Sequence, residues 1–176
     1  GEIGIEQFGI TVQDEFGQTG QGVFSFQIEG INDAPVAVAN TNAVLENGAI
    51  DLAAASSVLG DDADVDGDAL TVSSIRTGNV DATDGAQGEI GSTLVGAYGV
   101  LTLNADGQYR YATTASAVDG LAAGATAVDV FTYTITDGAL SASAELLITV
   151  TGVNDAPVAV ANTNEVPENG AIDLAA

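Results

Sequence analysis

Five aspartates fall within the eight residues that follow Gly60: Asp61, Asp62, Asp64, Asp66 and Asp68, in Gly-Asp-Asp-Ala-Asp-Val-Asp-Gly-Asp. Carboxylates held this close repel one another, and a hard divalent cation relieves the repulsion. Ca²⁺ suits such a set because it takes six to eight oxygen ligands at flexible geometry. The run Asp62-x-Asp64-x-Asp66-Gly67 begins like an EF-hand loop. The position that needs a bidentate Glu is Ser73, however, and the flanks alternate like strands, so an EF-hand is rejected. The bland alternative is a solvated acidic turn. Other acids and amides near predicted domain ends argue against it: Asn32 and Asp33, Glu46, Asp137, Asn154 and Asp155, and Glu168. Asp81 and Asp84 read as ordinary turn residues.

Other chemistry is thinly supplied. The chain has no His, Cys, Trp or Lys, and 25 Asp plus Glu stand against Arg76 and Arg110, for a net charge of −23. Without His the usual neutral-pH acid–base group is missing; without Cys there is no thiolate, zinc-thiolate site or disulfide. A carboxylate pair could act on sugars, but such sites stack substrate on aromatics, which are sparse here. The expectation is therefore no enzyme. The charge repels nucleic acid and anionic membrane surfaces, and no apolar run is long enough to span a bilayer. A composition 46% hydrophobic excludes a disordered acidic tail.

The elements that must position the acids read as strands. Residues 23–31, 69–75, 98–112 and 130–153 alternate apolar and polar. Hairpin turns are expected at Ala105-Asp106-Gly107 and Asp137-Gly138. Turn residues every 8 to 15 positions suggest an antiparallel sandwich. The Ala-rich stretch 116–127 is interrupted by Gly120 and Gly124 and reads as a loop or a short helical turn. The four tyrosines read as core or sheet-face residues.

The chain also repeats itself. Residues 32–54 recur at 154–176 with only Ala43/Glu165 and Leu45/Pro167 different. Upstream, FGITVQD (8–14) matches FTYTITD (131–137), with one residue of slack before the shared Asn-Asp. A period near 122 residues is the size of a domain rather than of a solenoid unit. The expected division is 1–31, the last strands of a preceding repeat; 32–153, a complete repeat; and 154–176, the first strands of the next. Pro35 makes the joint short and locally stiff.

Gly-Val-Asn-Asp-Ala-Pro-Val at 152–158, the Glu-Asn-Gly that follows, Asp-x-Asp-Gly-Asp-x-Leu-Thr at 64–71 and Phe-Thr-Tyr-Thr-Ile-Thr-Asp-Gly at 131–138 together resemble the bacterial cadherin-like repeats often called VCBS repeats. The resemblance covers 32–154 and both flanks. It implies an all-β, Greek-key (Ig/cadherin-like) sandwich in a tandem array, exported by type I secretion as part of a large RTX-type adhesin. It also implies Ca²⁺ between domains and a secreted or cell-surface location. The function implied is spacing a binding tip from the cell, and so serving adhesion and biofilm formation indirectly. Carried over by position, the metal ligands at one end are Asn32, Asp33, Asp64, Asp66, Asp68 and Asp137. At the other they are Glu46, Asn154 and Asp155, with Asp119 a further candidate. The cadherin Leu-Asp-Arg-Glu motif has no counterpart here, and the linker reads Asn-Asp-Ala.

The expected partners are neighbouring repeats of the same chain and, through the partial repeats, a second copy joined head to tail as in a strand-complemented filament. Two other readings remain at this stage. One is a module binding carbohydrate or peptide; the other is an acidic sandwich adapted to high salt, stabilised by any salt rather than by calcium.

Overall fold

The computed structural model describes residues 3–52, 57–161, 163 and 168. Its first element is a hairpin of β1 (Ile3–Gln13) and β2 (Thr19–Glu29). A sandwich follows, built from β3 (Asn40–Leu45), β4 (Ala49–Leu52), β5 (Thr71–Thr77), β6 (Gln87–Gly88), β7 (Thr93–Val95), β8 (Gly99–Leu103), β9 (Tyr109–Thr113), α1 (Ala115–Val118), β10 (Thr126–Thr136) and β11 (Ser141–Thr151). The strands expected from 154–176 lie for the most part outside the described residues.

One sheet has the order β3-β11-β10-β5-β6, the other β4-β9-β8-β7. Period-2 alternation explains why they stack. β8 buries Gly99, Leu101 and Leu103 while Val100 and Thr102 lie half-buried between them, and β11 buries every second residue from Ala144 to Val150. The inward rows form one core: Phe131, Tyr133, Ile135, Leu146, Ile148 and Val150 from the first sheet, Leu94, Leu101, Leu103, Tyr109 and Tyr111 from the second. Each such side chain contributes on the order of 1.5–3 kcal/mol by leaving water. Tyr109, Tyr111 and Tyr133 are core residues, as their strand positions suggest. The Ala-rich stretch yields only the single turn α1.

The sandwich departs from the antiparallel expectation at one pair. β3 runs parallel to β11, from Asn40 beside Leu146 to Leu45 beside Thr151. The chain therefore comes in at the Asp137 end of β10–β11 and leaves at the opposite end, past Thr151. A strand of eleven residues rises about 35 Å, so entrance and exit lie roughly that far apart.

The segment leading into β3 is stitched to the acidic loop. Val36 and Ala63 exchange both backbone bonds, at 2.7 and 3.1 Å, and Val38 N–H donates to Asp62 Oδ1 at 2.7 Å. The stiffness expected of Pro35 is thus reinforced by a short ladder against residues 61–66.

Candidate metal centre

The acidic loop is folded by its own carboxylates. Asp66 N–H donates to Asp64 Oδ1 at 2.8 Å, and Gly67 N–H donates to Asp64 O at 3.2 Å. Gly67 has φ +79°, a left-handed conformation that a glycine adopts without strain. The loop thereby turns back, and oxygens of Asp64, Asp66 and Asp68 come within 4.8 Å of one another.

The Asn32–Asp33 joint links this loop to the β10–β11 turn. Asp33 N–H donates to Asp66 Oδ2 at 2.8 Å, and Asn32 Nδ2 donates to Asp137 Oδ2 at 3.0 Å. Asp137 opens the β10–β11 turn, where its Oδ1 accepts from Ala139 and Leu140 N–H at 2.6 and 2.7 Å. The Leu140 and Ala139 amides, then the Asn32 amide, hold its carboxyl below the usual range. One end of the sandwich therefore gathers Asn32, Asp33, Asp64, Asp66, Asp68 and Asp137, residues up to 105 positions apart in sequence.

The donor set is all oxygen, mostly carboxylate, as a hard divalent cation requires. Asp64 Oδ2 is buried and has no hydrogen-bond partner. Buried polar atoms are seldom left so, and a bound cation would satisfy this one. The residues fit such a group.

The far end is built differently. Glu46 is only 4% exposed. Its N–H donates to Thr151 O at 2.8 Å and its Oε2 accepts from Val153 N–H at 2.8 Å, which pins the departing chain. Its Oε1 is buried without a partner. Asn154 and Asp155 are exposed, and the Asn154 amide donates to Asp155 O at 3.2 Å, the same local turn that Asn32 makes with Asp33 O at 2.9 Å. No hydrogen bond joins either of them to Glu46 among the described residues. Asp119 is an exposed residue just past α1. Asp81 and Asp84 are exposed in turns, and Glu168 is exposed.

Sequence reading passed over a second polar cluster beside the acidic loop. Tyr133 Oη donates to Val38 O at 2.7 Å and accepts from Asn40 Nδ2 at 3.0 Å, with the Asp62 carboxylate 3.5 Å away. Burial, opposed in part by the bond from Val38 N–H, raises the Asp62 pKa, and the Asp61 charge adds to the rise. It also passed over Asp129 on β10, which is 2% exposed. Asp129 accepts from Ala97 N–H at 2.6 Å, Tyr98 N–H at 3.0 Å and Tyr111 Oη at 2.6 Å. A signal was present: Asp129 is in phase with inward Phe131, so alternation alone puts a carboxylate on the core face.

The class of protein is defined by an all-β sandwich with acidic residues gathered at one end. The family model for the bacterial cadherin-like domain matches residues 32–152, and the chain belongs to that family. A search of curated proteins finds no match. Among solved structures, the endo-fucoidan hydrolases MfFcnA4 and MfFcnA9 of glycoside hydrolase family 107 align with 85% and 84% of this chain. Identities are 23% and 22%, and TM-scores 0.32 and 0.30. The alignments take in 19% and 22% of those chains, so this chain spans about a fifth of their length. A likeness of that size carries nothing about chemistry.

Proposed function

We propose that residues 32–153 are a calcium-stiffened spacer unit, of the VCBS-repeat kind, in a secreted or cell-surface RTX-type bacterial adhesin. Its work is mechanical and non-catalytic: it holds a binding tip away from the cell and so serves adhesion and biofilm formation. The observation that carries this reading is the convergence of Asn32, Asp33, Asp64, Asp66, Asp68 and Asp137 on one sandwich end. These belong to the joint, the acidic loop and the β10–β11 turn, which hydrogen bonds from Asn32 and Asp33 link at an end that also holds a buried, unpartnered Asp64 oxygen.

Bound there, Ca²⁺ supplies positive charge and six to eight coordination positions. The chain's residues do the rest. Asp64, Asp66 and Asp68 would offer carboxylates from the loop and Asp137 from the turn; the joint would add the Asn32 amide oxygen and the Asp33 carboxylate. Because Asp33 and Val36 are already bonded to this loop, any ordering of the loop is passed to the chain entering the sandwich. Parallel β3 and β11 then put the next joint at the opposite end, where Glu46 holds Val153 and Asn154 and Asp155 begin the next linker.

The test is calorimetric titration of Ca²⁺ into wild type and into Asp64→Asn/Asp66→Asn, at fixed salt, with Mg²⁺ as control. Removing two carboxylates should weaken calcium binding at least about tenfold, since ligand charge sets affinity at such sites. Equal affinity in the variant would reject the assignment.

A further inference from the structure

The β1–β2 hairpin is exposed along its whole length, on both strands. Its register separates two unlike faces. On one lie Phe8 opposite Phe24, Glu6 opposite Phe26, Gly4 opposite Ile28, Ile10 opposite Gly22 and Val12 opposite Gly20. The three phenylalanines of that face touch edge to face, with ring centroids 6.0 and 4.7 Å apart. Such a hairpin alone in water is marginal, and an apolar face of this kind marks an interaction site.

The hairpin matches β10–β11 in strand length and pairing register, strand for strand. Both have two strands of eleven residues; the loops are 14–18 and 137–140, which accounts for the one residue of slack between the sequence repeats. Phe8 opposite Phe24 answers to Phe131 opposite Leu146, and Ile10 opposite Gly22 to Tyr133 opposite Ala144. Val12 opposite Gly20 answers to Ile135 opposite Ala142. Each pair sets a large residue on the first strand against an equal or smaller one on the second. The apolar face of the hairpin is thus, position for position, the face that β10–β11 bury in the core.

Glu6 opposite Phe26 answers to Asp129 opposite Ile148. Asp129 is buried only because the facing sheet supplies the Tyr111 hydroxyl and the Ala97 and Tyr98 amides. A carboxylate in the middle of an apolar face argues against two hairpins packing face to face, which would bury two acids without donors.

We propose that this face is the inner wall of a second sandwich, and that its occupant is a sheet of the β4-β9-β8-β7 kind carried by a further repeat of the same polypeptide. Glu6 is the residue that selects such a sheet, by accepting hydrogen bonds from a hydroxyl and main-chain amides placed as Tyr111, Ala97 and Tyr98 are around Asp129. The inference rests on the register of the repeat and not on calcium.

The experiment extends the 176-residue chain by fusing a copy of its own residues 32–123 ahead of Gly1. Amide hydrogen exchange of β1 and β2 is then compared in the two chains, both in EDTA at the same salt, with β10–β11 of the resident sandwich as internal standard. The expected result is exchange slowed at least about a hundredfold in β1–β2 of the extended chain. Glu6→Gln should reverse that by about tenfold while leaving the 176-residue chain unchanged. A second extended chain carrying Ile10→Tyr and Gly22→Ala, the residues of β10–β11, covers a misfit of the borrowed core. Unprotected hairpins in both extended chains would overturn the proposal. A 176-residue chain that sediments as a dimer with β1–β2 already protected would also overturn it, and would assign the face to a second copy. Because calcium is absent throughout, the spacer reading stands or falls separately.

Discussion

Asp129 and Asp62 are two acids of one sandwich in opposite circumstances. Asp129 is enclosed but accepts three hydrogen bonds, two of them from main-chain amides. Replacing it with Asn keeps the shape but turns an NH₂ towards those donors. The expected loss is about 1–3 kcal/mol, the range for leaving buried hydrogen-bonding groups unsatisfied, read by urea denaturation in EDTA. Asp62 is only half enclosed and lies next to Asp61. Asp62→Asn retains an oxygen for Val38 N–H and removes a like charge. In EDTA that variant is expected to be more stable by about 0.5 kcal/mol, within the range for partly exposed charge pairs; a lower melting temperature would contradict the repulsion argument. The two acids also differ in legibility. Asp129 sits in an alternating strand, so its inward aim was readable from phase. Asp61 to Asp68 lie in a loop without a period, and nothing local tells Asp62, bonded to Val38, from Asp64, bonded to Asp66.

At the level of elements, the two sheets lock together through tyrosines. Tyr111 and Tyr133 are wholly buried, and burial first, then the neighbouring carboxylates of Asp129 and Asp62, pushes both phenols far above their ordinary range. Tyr109 is raised by burial as well. A folded pKa above the unfolded value of about 10 gives stability that is complete below pH 10 and is lost as pH climbs towards the raised value. Tyrosinate absorbance should therefore rise for these three residues in one cooperative step, together with loss of strand circular dichroism. Smooth ionisation near pH 10 with the fold intact would contradict their placement. Gly96 and Gly99 make the close approach possible: a Cβ at Gly96 would lie 2.6 Å from Asp129 Oδ2, and one at Gly99 2.5 Å from the Tyr111 hydroxyl. Either Gly→Ala change is expected to cost about 1–3 kcal/mol by overpacking, measurable as a fall in urea midpoint. Most strands and the hairpin turns at 105–107 and 137–138 were legible because alternation and turn residues are local signals. The parallel β3–β11 pair was not, because it joins residues more than a hundred positions apart and neither strand's pattern names its neighbour.

Over the whole molecule, charge and chain direction are what matter. With a net charge of −23 and, among the described residues, one long ion pair, Arg110 to Asp51 at 3.9 Å, the compact state carries largely uncompensated repulsion. Entrance and exit at opposite ends are what the proposed spacer requires to add its length to a series, with the acids gathered where its units would meet. The acids and amides and their sequence positions were readable in advance; their meeting at one end depends on Asn32 reaching Asp137 across the folded chain, which only the fold provides. The most direct measurement is a thermal melt of the 176-residue chain at about 150 mM salt, where exposed charges are already screened over about 8 Å, in EDTA and then with Ca²⁺ or Mg²⁺. Calcium at about a hundred times its dissociation constant should add about 2.7 kcal/mol and raise the melting temperature by roughly 10 °C, well beyond any effect of magnesium. Identical melting in EDTA, calcium and magnesium would mean that Asp64, Asp66, Asp68 and Asp137 are solvated turn residues and would contradict the calcium-stiffened spacer.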